Sequence, residues 1–270
     1  MNLKEQRQIT ASPSSIFSGH GVYSPDGKIL ITSETNEAQD LGILAIRDSS
    51  TFKLLECIPS GGVFPHEMKF VDQNKLLVAN GGSRSLVGAN LAVIDLNSRK
   101  VLDTRIPPTL GPGIRHFVVD SSGNLIIATW LAGSNSESKV TAAQILSSRL
   151  ESSASTKTID LGKDFYKLAT NESKQFLSVA LHVETNRAVL TASGADLIVI
   201  VDSVAGSVLK VLPKVNPTSV SLCGDPNLMA ISDAKGHLQF LDMHTLKWQK
   251  DRELTDSSLT GSHMAFIQIG

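Results

Sequence analysis

The sequence predicts an all-β repeat protein, a β-propeller, on three observations. A plan returns down the chain: a histidine opens a short apolar run, a Pro-Asp-Gly-type turn follows, then a hydrophobic strand, and an aspartate about fourteen residues later. It reads as GHGVYSPDGKILITSE from Gly19 to Glu34, as VFPHEMKFVDQNKLLVANGG running into LAVIDLNSRKVLDTRI, and as IRHFVVDSSGNLIIATW. Each unit packs four strands and their turns into about forty residues, the period of one propeller blade. Finally, the run LIVIV is continuously apolar, as a strand covered on both faces by neighbouring sheets must be.

Taken in order, residues 1–18 are polar and Ser-rich and read as a tail or a residual strand ahead of a propeller domain over 19–270. The first blade runs from Gly19 to about Pro59 with strands GVYS, KILITSE, GILAIRD and FKLLECI. The second spans about Gly61 to Pro107, with MKFV, KLLVAN, NLAVIDL and KVLDTRI; its loop from Gly81 to Ala89 is rich in Gly and Ser. The third opens with RHFVVD and LIIATW and continues, inside a Ser-rich setting, with a strand over Val140 to Leu146. After a connecting stretch near Asp164 to Lys174, the fourth reads FLSVALHVE, AVLTAS, ADLIVIVD and SVLKVLP. The fifth reads PTSVSLCG, LMAIS, GHLQFLD and LKWQKDREL, and GSHMAFIQI supplies a partial terminal strand. About five recognisable four-stranded blades result.

The punctuation has a physical reason. Asp48, Asp95, Asp202 and Asp242 each end a third strand, where a carboxylate accepts backbone N–H bonds across the turn to the fourth. Gly, Asn and Asp in the first turn of each unit supply positive φ where the chain reverses. Glu34 and Asn80 end second strands, where turn-forming or solvated roles are the ordinary expectation, with a place near a channel mouth as the alternative.

Composition excludes several functions. A formal charge of −1 gives no basic footprint, so nucleic acid is not a partner. No apolar run reaches the roughly 18 residues a transmembrane segment needs. The start, MNLKEQRQITASPSS, lacks the apolar core of a signal peptide, which points to a cytoplasmic protein or to a chain without its original beginning. Cys57 and Cys223 show no metal-ribbon spacing and read as two small buried hydrophobes. No nucleophile elbow or phosphate-binding loop appears, and GHG and NGG are too short to carry meaning alone.

The histidines carry the chemistry. In a propeller the first strand of each blade lines the central channel, so equivalent positions converge on one axis. His20 and His116 are equivalent, each seven residues before a turn glycine, Gly27 or Gly123. His66 and Glu67 share that neighbourhood after a one-residue shift that a bulge would absorb. His263 stands at a similar place before MAFI. Such a set suits a divalent metal ion (Fe, Zn or Cu), or an anionic ligand if the imidazoles are protonated. The plainer reading is channel-mouth histidines bonded to water or to each other. Arg115 could bind a carboxylate, although adjacent residues on a strand face opposite ways. His182, His237 and His244 fall outside the register and read as surface or turn residues.

The stretches GHGVYSPDGKILITSETN, PHEMKFVDQNKLLVANGG and IRHFVVDSSGNLIIAT closely resemble the DUF1513 family of bacterial propeller-like proteins. The resemblance is specific over the first hundred residues and vague after Ala132. It implies a seven-bladed propeller of the WD40/YVTN kind, exported to the periplasm and commonly encoded beside imelysin-like iron-uptake lipoproteins. It also implies a signal and further repeat ahead of the GHG segment, so five blades plus fragments would form an incomplete ring with two sheet edges to cover.

Three functional classes follow. The first is a propeller binding a small ligand or metal ion in its channel, near iron acquisition and with no enzymatic activity. The second is a metal-dependent lactonase-like hydrolase, which needs several carboxylate or amide ligands where only Glu67 is a clear candidate. The third is an interaction scaffold of the WD40 type, with the histidines incidental.

Overall fold

Short alternating or fully apolar runs, cut by Asp- and Gly-bearing turns, produce twenty strands among the described residues. The computed structural model describes residues 8–82, 89–105, 112–131, 145–150, 156–170 and 175–255. The strands form five four-stranded antiparallel sheets, each a meander in chain order. The first sheet comprises β1 (Ile16–Tyr23), β2 (Ile29–Asn36), β3 (Leu41–Asp48) and β4 (Leu54–Pro59). The second comprises β5 (Pro65–Phe70), β6 (Lys75–Asn80), β7 (Asn90–Asp95) and β8 (Lys100–Arg105). The third comprises β9 (Pro112–Val119), β10 (Asn124–Leu131), β11 (Ile145–Arg149) and the two-residue β12 (Lys157–Thr158), with the helix α1 (Gly162–Leu168) after it. The fourth comprises β13 (Ser178–His182), β14 (Arg187–Ala192), β15 (Leu197–Asp202) and β16 (Ser207–Pro213). The fifth comprises β17 (Pro217–Leu222), β18 (Leu228–Asp233), β19 (His237–Asp242) and β20 (Lys247–Thr255).

The four-stranded repeat therefore stands as the sequence pattern implies, with local differences. β1 begins at Ile16, ahead of both the expected blade boundary at Gly19 and the expected strand GVYS. The third strand of the third blade is β11, starting at Ile145; residues 140–144 of the expected strand lie outside the described residues, as do the terminal strand GSHMAFIQI and most of the loop from Gly81 to Ala89. The connecting stretch carries α1, whose Phe165 is buried.

The chain forms two compact units, one holding the first two sheets and the other holding the last three from His116 onward. In the first unit, Ile31, Leu44 and Ile46 of one sheet pack with Met68, Val78 and Ile94 of the next. In the second, Val189, Ile198 and Ile200 pack with Val220, Met229 and Leu241. Phe165 of α1 joins Phe176, Leu190 and Val199 in a further cluster. Residues 197–201, the LIVIV run, are fully buried on both faces. Each such side chain contributes roughly 1.5–3 kcal/mol through removal from water.

The third-strand aspartates act as local clamps. Asp48 Oδ1 accepts N–H bonds from Ser50 (3.1 Å) and Thr51 (2.8 Å), and Asp202 and Asp242 repeat the pattern on the residues that follow them. The Thr51 hydroxyl and N–H hold the Asp48 carboxyl down to about 2. Four residues after each aspartate the chain turns through positive φ, at Phe52 (60°), Arg99 (59°), Gly206 (63°) and Leu246 (54°). Only one of the four is the glycine such a conformation favours.

In the fifth sheet a second aspartate has a different role. Asp233 is buried, with Oδ2 2.9 Å from the equally buried Lys214 Nζ and 3.0 Å from His237 Nδ1. Burial opposes its ionisation most strongly, yet Lys214 and the N–H groups of Lys235 and His237 outweigh it and lower the carboxyl to about 2. Since that lies below its ordinary 3.8, the stability it adds is full at higher pH and is lost as pH falls from about 4 toward about 2. Asp233→Asn leaves Lys214 buried without its counter-charge, with an expected loss of about 3–5 kcal/mol in urea unfolding at neutral pH. A loss below about 1 kcal/mol would show that Lys214 finds water instead.

Candidate functional site

The first strands of three blades are irregular at the same place. In β1 the pairing passes from Phe17↔Glu34 to Gly21↔Thr32, so Ser18, Gly19 and His20 stand opposite Ser33 alone. In β5 it passes from Pro65↔Asn80 to Met68↔Val78, so His66 and Glu67 stand opposite Ala79. A third shift lies between Pro217 and Ser219. The one-residue offset that separates His66 from the His20 register in the sequence is therefore a real bulge, and bulges re-aim side chains.

Side chains of β2 hold the β1 bulge in place. The Ser33 hydroxyl accepts the His20 N–H and donates to the His20 carbonyl, both at 3.1 Å. Ser18 Oγ meets Thr35 Oγ1 at 2.6 Å. The Ser18 carbonyl then receives His66 Nδ1 at 2.6 Å. A carbonyl only accepts, so Nδ1 carries the proton, and Nε2 is the lone-pair nitrogen of the neutral ring. His20 and His66 meet edge to face, with ring centroids 4.7 Å apart and their ligand nitrogens within 4.8 Å.

Gly19 makes that meeting possible. Its φ is +139°, and a Cβ there would sit 2.5 Å from His66 Cε1 and 2.6 Å from Nδ1. The GHG stretch, too short to carry meaning as a motif, thus holds a structural requirement: the glycine beside His20 makes room for the ring of His66. A glycine in a strand interior next to a histidine was the available signal.

The other predicted residues fall as follows. Glu67 is partly buried and its Oε1 lies 3.0 Å from Lys69 Nζ. His116 is buried in β9, where it is the fifth residue, the position His20 holds in β1. Arg115 precedes it in β9, and burial lowers its guanidinium pKa. His263 lies outside the described residues.

Several expectations need correcting. Glu34 and Asn80 are neither solvated nor turn residues: both are fully buried. Glu34 accepts from the N–H (2.7 Å) and hydroxyl (2.5 Å) of Ser12, from Thr32 (2.8 Å) and from Arg47 Nη2 (2.8 Å). Burial opposes its ionisation most strongly, but Ser12, Arg47 and Thr32 together hold the carboxyl below its ordinary value. Asn80 donates to the Ser60 carbonyl and Asn90 Oδ1 and accepts from the Ser60 hydroxyl. His182 is buried rather than superficial, its two nitrogens engaged by Thr185 and the Pro226 carbonyl. His237 and His244 keep exposed side chains. Both cysteines are free; Cys57 is exposed on the outer strand β4, because that strand turns alternate residues to solvent, and Cys223 is half-buried.

Repeated four-stranded meanders with bulged first strands define a propeller, and a solved structure agrees. The β-propeller domain of Cps50 (Swd1) from Myceliophteria thermophila matches with a TM-score of 0.64 at 9% identity, over 90% of this chain and 75% of that one. The fold is a β-propeller of about five blades. The chain belongs to the family described as protein of unknown function (DUF1513), whose model matches residues 2–265. No curated protein matches it in sequence. Among the described residues no helix is long and apolar enough to cross a membrane.

The His66 geometry has a direct spectroscopic signature. Nitrogen-15 correlation spectra at neutral pH should show His66 as the Nδ1–H tautomer. Gly19→Ala should abolish that signature by forcing the ring away, while far-UV circular dichroism stays unchanged. Retention of the tautomer in the variant would show that the ring does not depend on this approach.

Proposed function

We infer that this propeller binds a divalent first-row metal ion, or a small ligand held through one, at His20 and His66. The observation that carries the reading is the Ser18 carbonyl on His66 Nδ1. Histidines that ligate metals usually give their other N–H to a carbonyl or carboxylate, which fixes the tautomer and leaves the second nitrogen as donor. Two imidazoles suit zinc, iron or copper better than the hard cations that prefer oxygen. On the sequence argument of equivalent register, His116 is the third donor. Arg115 and Glu67 would serve a bound anion or its counter-charge.

The family resemblance extends this reading to a periplasmic role in iron uptake beside imelysin-like partners. The hydrolase alternative asks for several carboxylate ligands, and Glu67 is already engaged by Lys69. The scaffold alternative needs neither imidazole.

The test is elemental analysis of protein purified without a histidine tag or chelator, then titration with Zn(II), Fe(II), Cu(II) and Mn(II). One bound equivalent is expected, with Cu(II) tightest in vitro. His20→Ala/His66→Ala should weaken binding by about 100-fold or more, and His116→Ala by about tenfold or more. Protons compete with metal for imidazole, so uptake should fall as the pH is lowered from about 7 to about 5. Absence of stoichiometric metal in the wild type, or equal binding by the double variant, overturns the reading.

A further inference from the structure

The segment ahead of β1 is tied to β2, the strand whose side chains hold the histidine bulge of β1. Ser12 gives both its N–H and its hydroxyl to Glu34 Oε2, while Arg47 and Thr32 occupy Oε1. Glu34 is fully buried and Arg47 nearly so. A buried carboxylate cannot be left short of donors without a large penalty, so the Ser12 contact and the position of β2 are mutually dependent. Phe17, paired with Glu34 across the strands, lies with its ring 5.9 Å from the Arg47 guanidinium carbon.

Glu34 sits between the two residues that fix the bulge. Ser33 holds the His20 backbone and Thr35 holds Ser18, whose carbonyl holds His66. Successive residues of a strand face opposite ways, so Glu34 receives Ser12 on one face while Ser33 and Thr35 serve β1 from the other. We propose that Glu34 is a positioning residue that couples docking of the segment around Ser12 to metal occupation of the histidine pair. Resting on the metal-binding reading above, this adds a regulatory element to the site. Metal and segment each favour the same arrangement of β2, so each strengthens the other by the same factor.

The test uses the full chain and Zn(II). Hydrogen exchange at the Ser12 amide, which donates to Glu34, is followed with and without saturating Zn(II). Occupation should slow this exchange by about fivefold or more, and Glu34→Gln should weaken Zn(II) binding by a similar factor. Ser12→Ala keeps the Glu34–Arg47 pair and should show a smaller loss in the same direction, covering the case in which the Gln variant fails to fold. A protein that merely needs Glu34 for stability would show no response of Ser12 exchange to Zn(II). Wild-type Zn(II) binding with unchanged Ser12 exchange overturns the coupling and leaves the metal site standing. Absence of Zn(II) binding overturns both.

Discussion

Two-sided burial is the constraint on which this structure rests. A sheet whose central strand reads LIVIV cannot leave either face in water, and the sheets bury these strands by packing face to face. Ile198 and Ile200 meet Met229 and Leu241, while Val199 and Val201 join the cluster with Phe176. The outer strands escape the constraint. β4 and β20 show many exposed residues, and β20, which among the described residues pairs with β19 alone, carries polar and charged side chains of the kind that discourage a further strand.

Against that apolar background, burying a polar group is costly unless its donors and acceptors are met. The first two sheets do this at two places. Glu34 is surrounded by Ser12, Thr32 and Arg47, and Asn80 by Ser60 and Asn90. Both lie at or near the ends of second strands, beside the bulged first strands. The β1 bulge withdraws backbone groups from the ladder, and the Ser33 hydroxyl takes up those of His20. Within the same bulge the Ser18 hydroxyl meets that of Thr35, and the Ser18 carbonyl accepts from His66 Nδ1. The meeting of His20 with His66 is thus built on a ladder defect repaired by side chains.

Much of this was legible in the sequence, because it is periodic. The four-strand plan, the clamping aspartates and the equivalence of His20 with His116 all follow from fixed distances to turn residues. The bulge under His66 showed as a one-residue offset. What escaped reading depends on partners far along the chain. Glu34 at a strand end looks solvated until Arg47 and Ser12, 13 and 22 residues away, are brought onto it. His182 looked superficial because the Pro226 carbonyl it meets is 44 residues distant. Gly19 escaped for another reason: it offers no functional atom, and the space it leaves is visible only once His66 is placed.

Gly19 also changes how the tolerance of this region to sequence drift should be understood. Any single-base change that replaces a glycine adds at least a Cβ, and here even that atom meets an imidazole. At the proposed metal site a lineage could exchange one imidazole for another ligating group, but it has no conservative neighbour to move to at this glycine. The least chemically endowed residue of the site is therefore the one with the fewest evolutionary exits.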